Sequence, residues 1–205
     1  MLLSLGKKYG TDKVQHQYIK YYKNIFEPIK DLSMNILEIG VREGHSHLLW
    51  KEYFKNSKIY GIDNYSDPVF KNFNFSKTYD HLKDITIFIG NQEDEKFLNN
   101  NIDFNLDILI DDGGHEMEQQ QSSLKYLFKK ITSQGYYIIE DLHTSTNPKN
   151  ISKYGKFTTL NFLKNIMKLT DEDSLFVKGE DLKYIQDNIL NINIYDNKLC
   201  IIQKK

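Results

Sequence analysis

Two groups of residues in this chain could do chemistry. One apolar run ends in Asp111-Asp112-Gly113-Gly114-His115 and a later one ends in Glu140-Asp141-Leu142-His143. Carboxylates that converge repel one another unless a cation neutralises them. Oxygen donors favour a hard divalent ion such as Mg²⁺, with Mn²⁺ or Fe²⁺ admitted if an imidazole joins. Asp112, Glu140 and Asp141 are the preferred ligands. His115 follows closely enough to act as a base on a hydroxyl that the ion has made more acidic. Structural readings compete, because Asp-Gly-Gly can be a plain turn and an Asp before a helix is a common N-cap. Asp111 suits such a role, and His115 could also be a capping or surface residue. His45, His47 and His143 read as surface or supporting groups, and His16 and His81 have no partner that the sequence reveals.

The second group starts with Glu38-Ile-Gly40-Val-Arg42-Glu-Gly44, at the end of the first apolar run. Glycines there let the backbone bend to positive φ and approach a ligand, and a helix N-terminus that follows offers unpaired N–H groups. Asp63 ends the second run, roughly twenty residues downstream, where a carboxylate can accept from ribose hydroxyls. Gly90-Asn91-Gln92-Glu93-Asp94 closes the third run in register with these. Together they point to a nucleoside. The spacing is not Gly-x-Gly-x-x-Gly, and Glu38 and Glu43 would repel a pyrophosphate. S-adenosylmethionine has no phosphate and carries a sulfonium and an amine, so an acidic, glycine-bent loop suits it better. Asp63 as a solvated turn residue is the alternative.

The elements that must position these groups are legible in outline. Asn35–Ile39, Lys58–Asp63, Ile85–Ile89, Leu106–Asp111 and Tyr136–Glu140 are nearly continuous in β-branched or aromatic residues, as in parallel strands buried on both faces. Helical spacing lies between them, with Leu48, Leu49, Tyr53 and Phe54 on one face and Leu124, Leu127, Phe128 and Ile131 on another. Val14–Ile29 reads as a helix, 146–155 as a polar loop around Pro148, and Phe157–Leu169 and Asp181–Ile189 as further helices. The tail alternates on both sides of Asp196-Asn197, a hairpin signal. The expected fold is α/β: a Rossmann-like class I methyltransferase fold, with a mostly parallel seven-stranded sheet ending in an antiparallel hairpin.

Composition excludes other classes. The 205 residues carry 27 basic and 28 acidic side chains, for a net charge of -1. That balance disfavours a nucleic-acid partner and is unlike a disordered or disulfide-stapled chain. Alanine is absent and Arg42 is the sole arginine, a bias that reads as AT-rich codon drift. Cys200, the one cysteine, lies in an apolar run and reads as a buried inert thiol. The N-terminal apolar stretch is too short for a secretory signal, and no window reaches the ~18 apolar residues of a membrane span. The expectation is one cytoplasmic domain over 1–205, without membrane insertion, that could assemble as a homodimer or higher homo-oligomer.

The chain resembles the metal-dependent sugar O-methyltransferases of macrolide tailoring. The residues that carry the resemblance are KYGTDK at Lys8–Lys13 with His16 and Tyr18, LEIGVREG at Leu37–Gly44, Trp50 and Phe54, and YGID at Tyr60–Asp63. GNQED at Gly90–Asp94, LIDDGGH at Leu109–His115, GYYIIEDLHTS at Gly135–Ser145 and the closing IYDNKLCIIQK continue it. The resemblance implies S-adenosylmethionine beside Gly40 and Asp63, with Gln92 near the adenine. It also implies a divalent ion on Asp112, Glu140 and Asp141, and His115 as general base. Residues 1–33 would cover the cofactor, with Tyr9, Thr11 and Asp12 in contact. Glu38, Arg42, Gly44, Asn91 and Asp111 complete the expected cofactor set. Residues 146–190 would shape the acceptor side. Arg42, Asn91 and Gly114 depart from the family's usual glycine, acidic residue and serine. The extra N-terminal domain that the macrolide enzymes can carry is not expected in a chain of this length.

The expected reaction is methyl transfer to a sugar hydroxyl on a nucleotide-linked or surface-polysaccharide sugar. A small-molecule glycoside or natural product is the alternative acceptor. A metal-dependent hydrolase or hydroxylase, or a non-catalytic scaffold, could be built from the same residues.

Overall fold

The computed structural model describes residues 1–66 and 82–205, so His81 lies outside the described residues. Strands β1 (Asn35–Ile39), β2 (Lys58–Asp63), β3 (Thr86–Ile89), β4 (Leu106–Asp111), β5 (Ile131–Ile139), β6 (Ile189–Tyr195) and β7 (Leu199–Lys204) form one seven-stranded sheet. Its order is β3-β2-β1-β4-β5-β7-β6. The neighbours β1–β2, β2–β3 and β4–β5 are parallel, and β5–β7 and β6–β7 are antiparallel. This is the Rossmann-like class I methyltransferase fold that the sequence predicts. Among the described residues no helix is long and apolar enough to cross a membrane.

The chain divides into two compact units, Met1–Gly90 and Asn91–Lys205. The first begins with α1 (Leu2–Tyr9), which ends where Gly10 takes φ 70°. A 3₁₀ turn over Asp12–Val14 and α2 (Ile19–Phe26) follow. The helix expected over Val14–Ile29 is therefore shorter, because Gln17 has φ 63° and a left-handed residue interrupts an α-helix. α3 (His45–Tyr53) follows β1. Tyr22, Phe26, Trp50 and Phe54 are fully buried, with Tyr22 stacked on Phe26 and both rings edge-on to Trp50 at 5.6 and 5.7 Å. That cluster seats α2 and α3 on each other and so fixes the angle at which α3 leaves the β1 loop.

In the second unit, α4 (Glu95–Asn101) is capped by Asp94, whose carboxylate accepts from Phe97 N at 3.0 Å. α5 (Met117–Leu127) leads to β5, which starts five residues before the predicted strand and ends at Ile139. Residues 146–155 were expected as loop, yet Pro148–Tyr154 is a helix, α6. Asn147 caps it, accepting from Lys149 N at 3.0 Å, and Pro148 occupies the first turn, where a missing N–H costs nothing. α7 (Thr159–Asn165) and α8 (Gly179–Asn188) follow near their predicted places. Asp196 and Asn197 take φ 53° and 54°, and Lys198 N donates to Tyr195 O at 2.9 Å. Two central residues at positive φ are what a tight hairpin turn requires. Cys200 is fully buried in β7, and burial pushes its thiol pKa far up, which keeps it unreactive.

Candidate functional site: two corners at strand ends

The first corner is the carboxyl end of β1 and β2. Gly40, Arg42 and Gly44 take φ 94°, 49° and 80°, which folds the loop back before α3 starts. Asp63 holds that loop. Its Oδ2 accepts from Val41 N and Arg42 N, each at 2.8 Å, and its Oδ1 accepts from Tyr65 N at 2.7 Å. The contribution of Arg42 to this clamp is its amide; its side chain is exposed. A carboxylate has about four acceptor positions, so the three backbone bonds leave room for a ribose hydroxyl. A Cβ on Gly44 would lie 2.5 Å from Leu82 Cδ1, and one on Gly61 would lie 2.6 Å from Val41 Cγ2. Both glycines therefore serve close packing of the loop.

Behind the loop stands a buried ion pair. Glu38 accepts from Trp50 Nε1 at 2.7 Å, and Lys13 Nζ lies 3.0 Å from its Oε1, with both charged side chains fully buried. His47 Nδ1 lies 3.6 Å from the same carboxylate. Burial foremost, with Lys13 adding, holds the His47 pKa below its ordinary value, while Glu38 and Asp63 pull the other way. His47 is thus a core residue and not the surface group expected; the supporting role fits, and His45 is exposed. The glutamate of the sequence motif is the hub of this network. Lys13 ties the KYGTDK segment to β1. Within that segment, Thr11 is buried and caps the 3₁₀ turn through Oγ1, accepting from Lys13 N at 3.4 Å. Tyr9 Oη bonds the Glu52 carboxylate, as does Lys8 Nζ, and Asp12 is exposed.

The second corner lies at the carboxyl ends of β4 and β5. Asp112, His115 and Asp141 each offer a ligand atom, and these atoms lie within 4.8 Å of one another; Glu140 likewise reaches within 4.8 Å of Asp112. The structure thus brings the other two predicted metal ligands, Asp141 and Glu140, each close to Asp112 and adds the imidazole. His115 Nε2 is 3.4 Å from Asp141 Oδ2 and 3.9 Å from Asp112 Oδ1. Among the described residues its Nδ1 is buried without a hydrogen-bond partner. Glu140 is buried, and His143 Nδ1 stands 3.8 Å from Asp141 Oδ1. His143 therefore backs Asp141. Carboxylates are hard donors suited to Mg²⁺ or Mn²⁺, and the His115 imidazole stands beside them.

Asp111 and Gln92 form the floor of this corner. Asp111 is fully buried; its carboxylate accepts from Ser123 Oγ and, at 3.0 Å, from Gln92 Nε2. Burial raises its pKa, and the bonds from Ser123 and Gln92 oppose that rise. Gln92 Oε1 accepts from Gly114 N at 2.9 Å. Both side chains, expected around the cofactor, are committed to holding the Asp112–His115 turn, while Asn91 is exposed. Gly114 stands where a side chain would strike Gln119: a Cβ would be 2.1 Å from its Oε1. Ser123 carried no signal in the sequence beyond its place on a helix.

No family model matches the chain. An enzyme of Streptomyces olivaceus, named as 8-demethyl-8-α-L-rhamnosyl tetracenomycin-C 2′-O-methyltransferase, is 29% identical over 178 residues, 81% of this chain and 44% of its own. The mycinamicin VI 2″-O-methyltransferase of Micromonospora griseorubida is 28% identical, over 96% of this chain and 51% of its own. A methyltransferase of the mycinamycin biosynthetic pathway, solved with Mg and SAH, superposes with a TM-score of 0.78 at 26% identity. The match covers 99% of this chain and 54% of that one.

The chain spans about half the length of the relatives it matches. The expectation of a nucleotide-linked or polysaccharide acceptor is overturned by the names of the relatives, which specify rhamnosyl tetracenomycin-C and L-olivosyl-oleandolide. The strand-end residues alone could not distinguish these acceptors, because a vicinal diol presents the same two oxygens on either. In fold and in sequence, the chain closely resembles the macrolide-tailoring sugar O-methyltransferases.

Proposed function

We propose that the chain is a divalent-metal-dependent O-methyltransferase that moves a methyl group from S-adenosylmethionine to a sugar hydroxyl on a small-molecule glycoside. The observation that carries this reading is the convergence of Asp112, His115 and Asp141 beside Glu140 at the ends of β4 and β5. Support also comes from the structure of the mycinamycin-pathway enzyme, solved with Mg, SAH and mycinamycin VI.

Asp112, Glu140 and Asp141 would hold the ion, which supplies a positive charge that orients two sugar oxygens and acidifies one. His115 Nε2, the ring nitrogen turned toward the carboxylates, would take the hydroxyl proton. The acceptor oxygen then bonds the methyl carbon as the methyl–sulfur bond breaks. Holding both reactants in line supplies much of the acceleration. Gly40, Gly44 and Asp63 would shape the cofactor pocket, with Tyr9, Thr11, Asp12, Arg42 and Asn91 at its edge. Glu38, Gln92 and Asp111 would act by holding the loops that line it. Residues 1–33 would cover the cofactor, and 146–190 would face the acceptor within one catalytic domain. A cytoplasmic setting suits the free thiol of Cys200.

The test combines calorimetry with turnover. SAH should bind whether or not EDTA is present, while methyl transfer from labelled S-adenosylmethionine to a panel of glycosides should vanish with EDTA and return with Mg²⁺. Absence of SAH binding would sink the methyltransferase reading, and full turnover after exhaustive chelation would sink the metal.

A further inference from the structure

His115 and Asp141 share a feature uncommon among residues with a Cβ: both take the left-handed conformation, with φ 57° and 54°. A Cβ crowds the backbone there, and such conformations persist where surrounding bonds over-determine them. One atom serves both residues. Thr144 Oγ1 lies 2.9 Å from Asp141 O and 3.1 Å from His115 O. The bond to Asp141, three residues back, is what any threonine in a tight turn can make, and Thr144 N donates to the same carbonyl at 3.0 Å. The bond to His115 crosses 29 residues, and a local turn has no need of it.

From this geometry we propose that Thr144 is a positioning residue for the metal site, its hydroxyl tying the main chain of the base His115 to that of the ligand Asp141. This rests on the function proposed above. A hydroxyl has one hydrogen, so sharing it between two carbonyls sets both main chains against one point. The side chains that those main chains carry meet 3.4 Å apart, His115 Nε2 against Asp141 Oδ2. Thr144 is itself held: its carbonyl accepts from Asn150 Nδ2 at 3.0 Å, and a β-branched side chain has few χ1 choices. The next residue anchors the turn, because Ser145 Oγ accepts from Leu160 N at 3.0 Å. A slip of this turn would therefore move a metal ligand and the base together.

Thr144→Val keeps the branched shape and removes the donor, whereas Thr144→Ser keeps the donor. With Mn²⁺ as the probe, read by the paramagnetic resonance signal of the free ion, the valine protein should bind about 10-fold more weakly, the usual scale for a group that orients a ligand. The serine protein should return to within about twofold of wild type, and SAH affinity should stay unchanged in both. Should the valine protein fail to fold, Thr144→Cys, a weak donor of similar size, should show the same loss. Wild-type Mn²⁺ affinity in the folded valine or cysteine protein, or equal weakening by valine and serine, overturns the positioning role alone. Failure of the wild-type protein to bind Mn²⁺ overturns the metal reading and this inference with it.

Discussion

At the β1–β2 corner, charge is met from within the protein: Lys13 and Trp50 engage Glu38, and three main-chain amides engage Asp63. At the β4–β5 corner, Asp112, His115 and Asp141 form one cluster and Glu140 comes close to Asp112, over a floor in which Asp111 is bonded by Gln92 and Ser123. Both corners use the same local device, a strand ending in a bend of left-handed residues. They differ in how the acidic groups are arranged. In the first, a lysine is drawn in from the N-terminal segment and buried, so a loop is held in shape. In the second, Asp112 and Asp141 stand with His115 above a secured floor, the arrangement that would hold a divalent cation on the function proposed above. The buried Lys13–Glu38 pair holds a loop in shape, and the acidic cluster of the second corner is the one proposed to bind.

Three substitutions or conditions would break or sharpen this contrast. His115→Ala should have the largest effect, lowering kcat by about 10²–10⁴-fold, the usual contribution of a general base, with SAH affinity unchanged. A wild-type rate would remove His115 from the chemistry. Lys13→Met should leave Glu38 buried without its cation and cost about 3–5 kcal/mol of stability, read by denaturant unfolding, while Mn²⁺ binding to the folded protein persists. A loss below about 1 kcal/mol, the value of an exposed pair, would show that the pair is not the anchor described.

The smallest effect is the pH dependence of His47. Its folded-state pKa lies below the ordinary 6.5 through burial, so the unfolded chain binds the proton first. Its contribution to stability is full above pH 6.5 and is lost as pH falls through the folded-state value. Urea unfolding at pH 5 and pH 7 should show a larger difference for wild type than for His47→Gln. Equal differences would mean that His47 is not held neutral.

Much of the fold was legible because its signals are local. β1, β2 and β4 have the bounds that their apolar runs predict. β5 was under-read because Thr132, Ser133, Gln134 and Gly135 look like a loop, although Thr132 Oγ1 donates to Asp107 at 3.0 Å and the strand continues through them. α2 was over-read because helical spacing continues across Gln17, whose backbone does not. Among the site residues, Asp112, Glu140, Asp141 and His115 were legible as acids and a base following strands. The roles of Glu38, Gln92 and Asp111 were not, because each depends on a partner distant along the chain: Trp50, Gly114 and Ser123.

What the sequence determined by itself is the order of strands and helices, the hairpin at Asp196-Asn197, and which chemically able residues stand at strand ends. These follow from side-chain pattern and backbone preference, properties of neighbouring residues. The tertiary structure decided which polar groups meet. It turned the Asp63 oxygens toward the amides of Val41 and Arg42, buried Lys13 against Glu38, and set the hydroxyl of Thr144 between His115 and Asp141. A hydrogen bond is made within about 3 Å, and only folding brings residues so far apart along the chain to that distance.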